Sequence, residues 1–539
     1  MFSRAALAAL LASCFPLSLT AQIDSEGMDD LTAWGARYLS STETEFPISL
    51  WSGSDDETLL ALLRSTDTSH LTQAERKLLR RIVLSPTRKP TGDLAEALLA
   101  ERARLMLALG EAEAAADIAP RLQQNDHGLD AETIAVDLEL ARGREASACD
   151  RLSGDVPETE YWLKLRAVCA VLQENFSGAE LAVEFASSQG LDDPWFVDAI
   201  FAASGDVADL PNAKFDTGMN IALSAKANLD LTDAALATSR PDLAAAALSR
   251  DGVPNMVRAQ LAQIASEVDF ITPDTRRDIL MQLLAEEGFM PSSAIEQALQ
   301  TLSDPKIDFG LKAEELAAVL DNASHGPMIH YAATAQLFHT DLKRLWKAES
   351  SDAYALTFAR ATLAANDGAL SRRWLAKLDD DGAVQPDPFD IAMLEALDLI
   401  SGGEASATAQ YTIQLRLIDS VSSQEQAERA ARIFASWAGF DIDLGAEARQ
   451  FLGEQADGGV NVEPYKLMAI RAAAQSGAIG EAALMVLAQT NGTPQDLTGA
   501  DLAALISILR EIGAGDIAAD LALEASEFWT IQSSEPQSG

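Results

Sequence analysis

The stretch 464-PYKLMAIRAAAQSGAIGEAALMVLAQT-490, with its continuation 498-TGADLAALISILREIGAGDIAADLALEASEF-528, decides the fold. Pro464 stands where a helix opens, a position that needs no backbone N–H. Leu467, Ile470 and Ala474 then fall on one face. After the Gly477–Gly480 turn, Ala483, Leu484, Leu487 and Ala488 form a second apolar stripe. The next unit repeats the plan. Leu502, Leu505, Ile506, Leu509 and Ile512 recur at helical spacing, and Ile517, Leu521, Ala525 and Phe528 line the partner helix. Neither pair of helices buries its stripe alone, so neighbours must stack on it.

Outward from this stretch, glycines recur at Gly368, Gly402, Gly439, Gly477 and Gly513, at intervals of 34, 37, 38 and 36 residues. That is the period of stacked helical hairpins. A turn glycine followed five residues later by alanine occurs as Gly477/Ala482, Gly513/Ala518 and Gly402/Ala407, and earlier as Gly110/Ala115 and Gly143/Ala148. The pattern resembles tetratricopeptide-like (TPR-like) repeats, in which that alanine lets two helices approach closely. Gly368 and Gly439 lack the alanine, and the family's first-helix Trp, Leu-Gly and Tyr positions and its closing Pro do not recur. The resemblance implies an all-α fold, an α-solenoid of stacked antiparallel helix hairpins. It also implies a setting, since envelope proteins with such repeats assist assembly machines, secretion or cell-wall synthesis. No binding residue is carried over.

The remaining chain divides around two repeat blocks, 95–190 and 351–530, with an irregular helical region at 191–350 between them. Within that region Thr272-Pro273 and Pro291-Ser292 read as helix starts. Residues 1–21 read as a signal peptide: Arg4, an apolar run Ala5–Leu19, and cleavage after Ala21. Leu11-Ala12-Ser13-Cys14 also fits a lipobox, which would place a lipid on Cys14. Either reading exports the chain, to the periplasm in the first case. No other stretch approaches the ~20 apolar residues that cross a bilayer. Residues 22–94 form an N-terminal helical segment with a short helix expected over Asp29–Leu39, and 531–539 a polar tail.

The formal net charge is −42, from 40 basic and 82 acidic residues. It disfavours nucleic acid and anionic membrane as partners. Against it stands one basic helix. Thr72 and Glu75 form a capping box. Beyond it Arg76, Lys77, Arg80 and Arg81 share a face, with Arg88 and Lys89 following. The readings are a docking face for an anionic or acidic partner, or an ordinary solvated face or one paired with the chain's own acids. Cys149 and Cys169 remain after the leader and make a candidate disulfide in an oxidising compartment. In an ideal antiparallel hairpin their offset is roughly 10 Å, wider than a disulfide spans.

Sequence motifs for chemistry are absent. His330 and His339 lie nine residues apart, on opposite sides of one helix, and do not converge on a metal. Asp379-Asp380-Asp381-Gly382 lacks the acid an EF-hand needs at Lys377. No P-loop, G-x-S-x-G or dinucleotide fingerprint occurs, and no cofactor is expected. The eight tryptophans are scattered. Trp162 and Trp346 are candidates for a sugar- or peptide-binding groove, or for core. Two functional classes follow. One is a non-catalytic scaffold binding an envelope protein or peptide, soluble or anchored at Cys14. The other is a glycan- or peptidoglycan-acting protein.

Overall fold

The computed structural model describes residues 33–530 apart from 123–129, 155–156, 206–208, 231–239, 252, 380–386 and 456–458. The leader, Cys14, the tail beyond 530 and the Asp380-Asp381-Gly382 run lie outside the described residues. Among those residues the chain is all-α. Twenty-seven α-helices follow one another, and a single isolated bridge joins Val460 to Leu497.

Local chemistry sets the helix starts. Thr72 and Glu75 close the expected capping box on helix Gln73–Leu84. Pro273 opens helix Pro273–Leu284, with the Thr272 side chain accepting from the Thr275 N–H. The start expected at Pro291-Ser292 falls two residues later, where Ser293 caps helix Ala294–Ser303. The helix expected over Asp29–Leu39 is absent from its described part, 33–39. There the Ala33 and Trp34 carbonyls accept from the buried Arg102 guanidinium, and Trp34 also from the Thr87 N–H, so tertiary partners take the acceptors a helix would use.

Five turn glycines adopt positive φ: Gly110, Gly143, Gly402, Gly477 and Gly513. Without a Cβ they do so at no steric cost. Gly368 and Gly439 differ. Gly368 begins helix Gly368–Leu375 and Gly439 ends helix Gln424–Gly439, while Asn366 (φ 61°) and Asp441 (φ 58°) make the left-handed turns. Gly439 answers to packing instead, because a Cβ there would lie 2.8 Å from the Ala503 carbonyl oxygen. Ala115, Ala148, Ala482 and Ala518 are fully buried. Ala407 is exposed: Gly402 opens a longer loop, and Ala407 is only the first residue of helix Ala407–Asp419.

Two hydrophobic cores result. The main one runs through both repeat blocks, from Leu59 past Leu105, Leu316 and Phe358 to Phe528. The smaller one gathers Val136, Trp162, Val168, Phe196 and Leu223. The boundary drawn at 190/191 therefore does not divide the packing. Phe196 and Leu223 share a core with Trp162, whereas Leu243 joins the main core. Cys149 and Cys169 are bonded within the smaller unit, their Cα atoms 5.7 Å apart. The wider offset of two full-length helices does not apply. Helix Glu145–Asp150 is a short stub that passes into a 3-10 turn at Arg151–Ser153.

The succession of hairpins returns to its start. Helix Ala355–Ala364 packs on Pro388–Ile400, that helix on Gln424–Gly439, and that one on Gly499–Glu511. Helix Gln73–Leu84 then packs against both Gly515–Ser526 and Ile479–Thr490, and Asp56–Ser65 also meets Ile479–Thr490. The N-terminal segment is thus seated on the last two hairpins. Trp51 lies so close to Gly480 that a Cβ there would come within 2.7 Å of the indole, and the Gly480 N–H donates to the Leu50 carbonyl.

Candidate functional site

The basic helix was the leading candidate from sequence, and the fold engages it internally. Arg81 donates to Asp516 (2.9 Å) and Lys77 to Asp520 (2.8 Å), both on helix Gly515–Ser526. Arg80 pairs with Glu43 and Glu111, and Arg76 donates to the Leu109 carbonyl. Of the readings open from sequence, pairing with the chain's own acids is the one these contacts match, and the docking face is not free. Arg81 and Lys77 join the N-terminal segment to helix Gly515–Ser526, while Arg80 and Arg76 bind nearer partners. Arg88 and Lys89 lie past the helix end and are exposed.

The junction between the chain's two ends also buries carboxyl groups. Glu75 accepts from the Gly492 N–H (2.8 Å) and the Thr72 N–H (2.8 Å). Glu524 is buried, and its Oε1 accepts from the Ala74 N–H at 2.9 Å. Burial pushes the Glu524 carboxyl up to about 8, against the pull of Thr72 and the Ala74 N–H, while Asp520 and Glu75 add to the rise. Lys77 is shifted the other way from what burial alone would do, because Asp520 holds its charge.

An open cleft lies nearby. A cleft of about 620 Å³ runs between helix Gln424–Gly439, helix Gly499–Glu511 and the segments around Gly459–Val460 and Gln495–Leu497. Its floor is small and aliphatic. Ala431, Ala435 and Ala438 come from one helix, Ala500 and Ala503 from the other, with Leu452 and Val460. Gly499 belongs to the close helix approach, since a Cβ there would touch Ala435 at 3.2 Å. Glu428, Asp496 and Glu527 carry the rim's negative charge, and Arg432 is the one cation among the lining residues. Arg432 is already held: it donates to the Gln495 carbonyl at 2.8 Å and stands 3.6 Å from Glu527.

Sequence reading missed this site. The alanines at 431, 435 and 438 are visible in the sequence, but they read there as close helix packing. The residues that turn them into a cleft come from segments some 17 to 96 positions further on.

The other candidates fall elsewhere. Trp162 is 1% exposed and belongs to the smaller core, so it lines no groove. Trp346 donates its indole N–H to the Arg373 carbonyl and is flanked by Arg373 and Lys377. His330 and His339 sit on separate helices, Met328–Leu337 and His339–Leu345, and pair with Glu267 (2.7 Å) and Asp367 (2.9 Å). No helix among the described residues is long and apolar enough to cross a membrane. No family model, curated protein or solved structure matches the chain.

Proposed function

We propose that the protein is a non-catalytic helical-repeat scaffold of the cell envelope, exported by its leader and working through protein–protein contact. The observation that carries this reading is an uncovered apolar stripe on the helix that follows Val460, a residue of the cleft. Tyr465 is 83% exposed and Met468 67%, one helical turn apart on helix Pro464–Gln475, with Ala469 and Ala472 exposed on the same face. Val460, at the cleft edge, is 66% exposed. Single exposed apolar residues need no explanation, but several together on one helix face mark an interaction site. The TPR-like spacing supports the same reading.

A photo-crosslinking residue at Met468, placed in the protein in living cells, tests it. The expected result is one discrete protein adduct, absent when the probe sits at Lys312. Release of soluble fragments from cell-wall sacculi by the purified protein, with no adduct at Met468, would replace the scaffold reading by the glycan-acting one.

A further inference from the structure

We infer that the cleft between helices Gln424–Gly439 and Gly499–Glu511 receives a cationic, aliphatic-rich segment of a partner protein. This rests on the scaffold reading and names the kind of partner.

Charge selects the class. Three carboxylates, Glu428, Asp496 and Glu527, face one guanidinium at the cleft, and Arg432 already satisfies itself on the Gln495 carbonyl and beside Glu527. Glu428, whose Oε1 accepts from the Gln424 amide at 3.1 Å, and Asp496 are both exposed and within reach of incoming Lys or Arg side chains. A second copy of this chain, with its net charge of −42, would bring like charge to the rim. An anionic lipid or nucleic acid would do the same.

Shape selects the side chains. Ala431, Ala435, Ala438, Ala500 and Ala503 bring methyl groups to the cleft, between the polar side chains of its lining. Aliphatic side chains of a bound segment gain burial there, and basic residues between them reach the rim.

The backbone holds one of the acids in place. Glu527 ends helix Gly515–Ser526 in the left-handed region, with φ 52°. Glycine is the usual residue at such a position. The Glu527 carboxylate lines the cleft and stands 3.6 Å from Arg432.

The test uses the purified full-length mature protein and three fluorescein-labelled peptides, KVLAKVLAK, EVLAEVLAE and KSSAKSSAK, read by fluorescence anisotropy at physiological salt. The cationic aliphatic peptide is expected to bind with a Kd of about 10–100 µM, and the other two about tenfold or more weaker. Two independent changes at the cleft should each weaken it about tenfold: Ala500→Trp, which fills the floor from an exposed position, and Glu428→Lys with Asp496→Lys, which reverses the rim. Glu180→Lys with Glu184→Lys, acids exposed on helix Phe176–Ser188, makes the same change of net charge away from the cleft. It should leave binding within about twofold. No binding by the wild type, or equal losses from the cleft and control reversals, would overturn the inference. The Met468 adduct would then still report on the scaffold reading separately.

Discussion

Replacing Glu524 by glutamine should stabilise the protein, and the gain should grow with pH. Glu524 is buried in the junction between helix Gln73–Leu84 and helix Gly515–Ser526, where its carboxyl is pushed up to about 8 from an ordinary 4.5. The folded protein therefore holds this proton at pH values where the unfolded chain has released it. Between those two values folding takes up a proton, so the group makes stability fall as pH rises, by about 1.4 kcal/mol per pH unit. The accumulated penalty is roughly 3 kcal/mol at pH 7 and approaches roughly 5 kcal/mol above pH 8. Glutamine keeps a carbonyl oxygen for the Ala74 N–H and cannot ionise. The charged groups that face the site, Glu75, Asp520 and Lys77, are the same in both proteins. His330 and Asp137, whose own shifts raise them, also titrate identically in both and cancel in the difference. Urea unfolding from pH 5 to 8.5, followed by far-UV circular dichroism, gives that difference directly. Hydrogen exchange in helix Gln73–Leu84 locates it at the junction. A stability difference that does not change with pH, or one that favours the wild type at pH 8, would refute the reasoning.

Three further outcomes follow from the same contacts. Gly480→Ala should destabilise by about 1–3 kcal/mol, although alanine is the better helix former, because the new methyl would press on Trp51 and the Leu50 carbonyl; thermal unfolding with tryptophan fluorescence checks it. Asp516→Ala should cost more than Arg81→Met, about 2–3 against under about 1 kcal/mol, because Arg81 is buried and Asp516 is largely exposed. Losing the aspartate strands a buried cation, whereas losing the arginine leaves a carboxylate in water; denaturant midpoints of the two variants give the order. Intact mass should show no free thiol at Cys149 or Cys169, and reduction should cost the smaller core about 3 kcal/mol for a loop of this length, seen as an earlier unfolding phase on adding reductant.

The hairpins were legible in the sequence because their causes are local. Apolar spacing, the Thr72 capping box, proline at first helical positions and glycine at left-handed turns all act within a few residues. Where another residue could make the turn, as Asn366 and Asp441 do, the glycine repeat pointed two positions away from it. The return of the chain to its beginning was not legible. The partners of Arg81 and Lys77 lie 435 and 443 residues away, so sequence could raise pairing with the chain's own acids but not say which acids. The same distance hid the Glu524 environment, which sequence shows only as one acid among 82. The cleft was hidden for a related reason. Its alanines are ordinary helix residues until loops from other hairpins wall them in.

The most direct test of the account is whether the two ends of the chain meet. Lys77 and Asp520 touch at 2.8 Å across the junction, and both side chains are partly exposed. With cysteines at both positions, a short bis-maleimide should link them within one molecule. The product would migrate faster than either single-cysteine variant on a denaturing gel, with the native Cys149–Cys169 bond kept oxidised throughout. Linkage only between molecules, or none, would show that the N-terminal helices do not rest on the final hairpins.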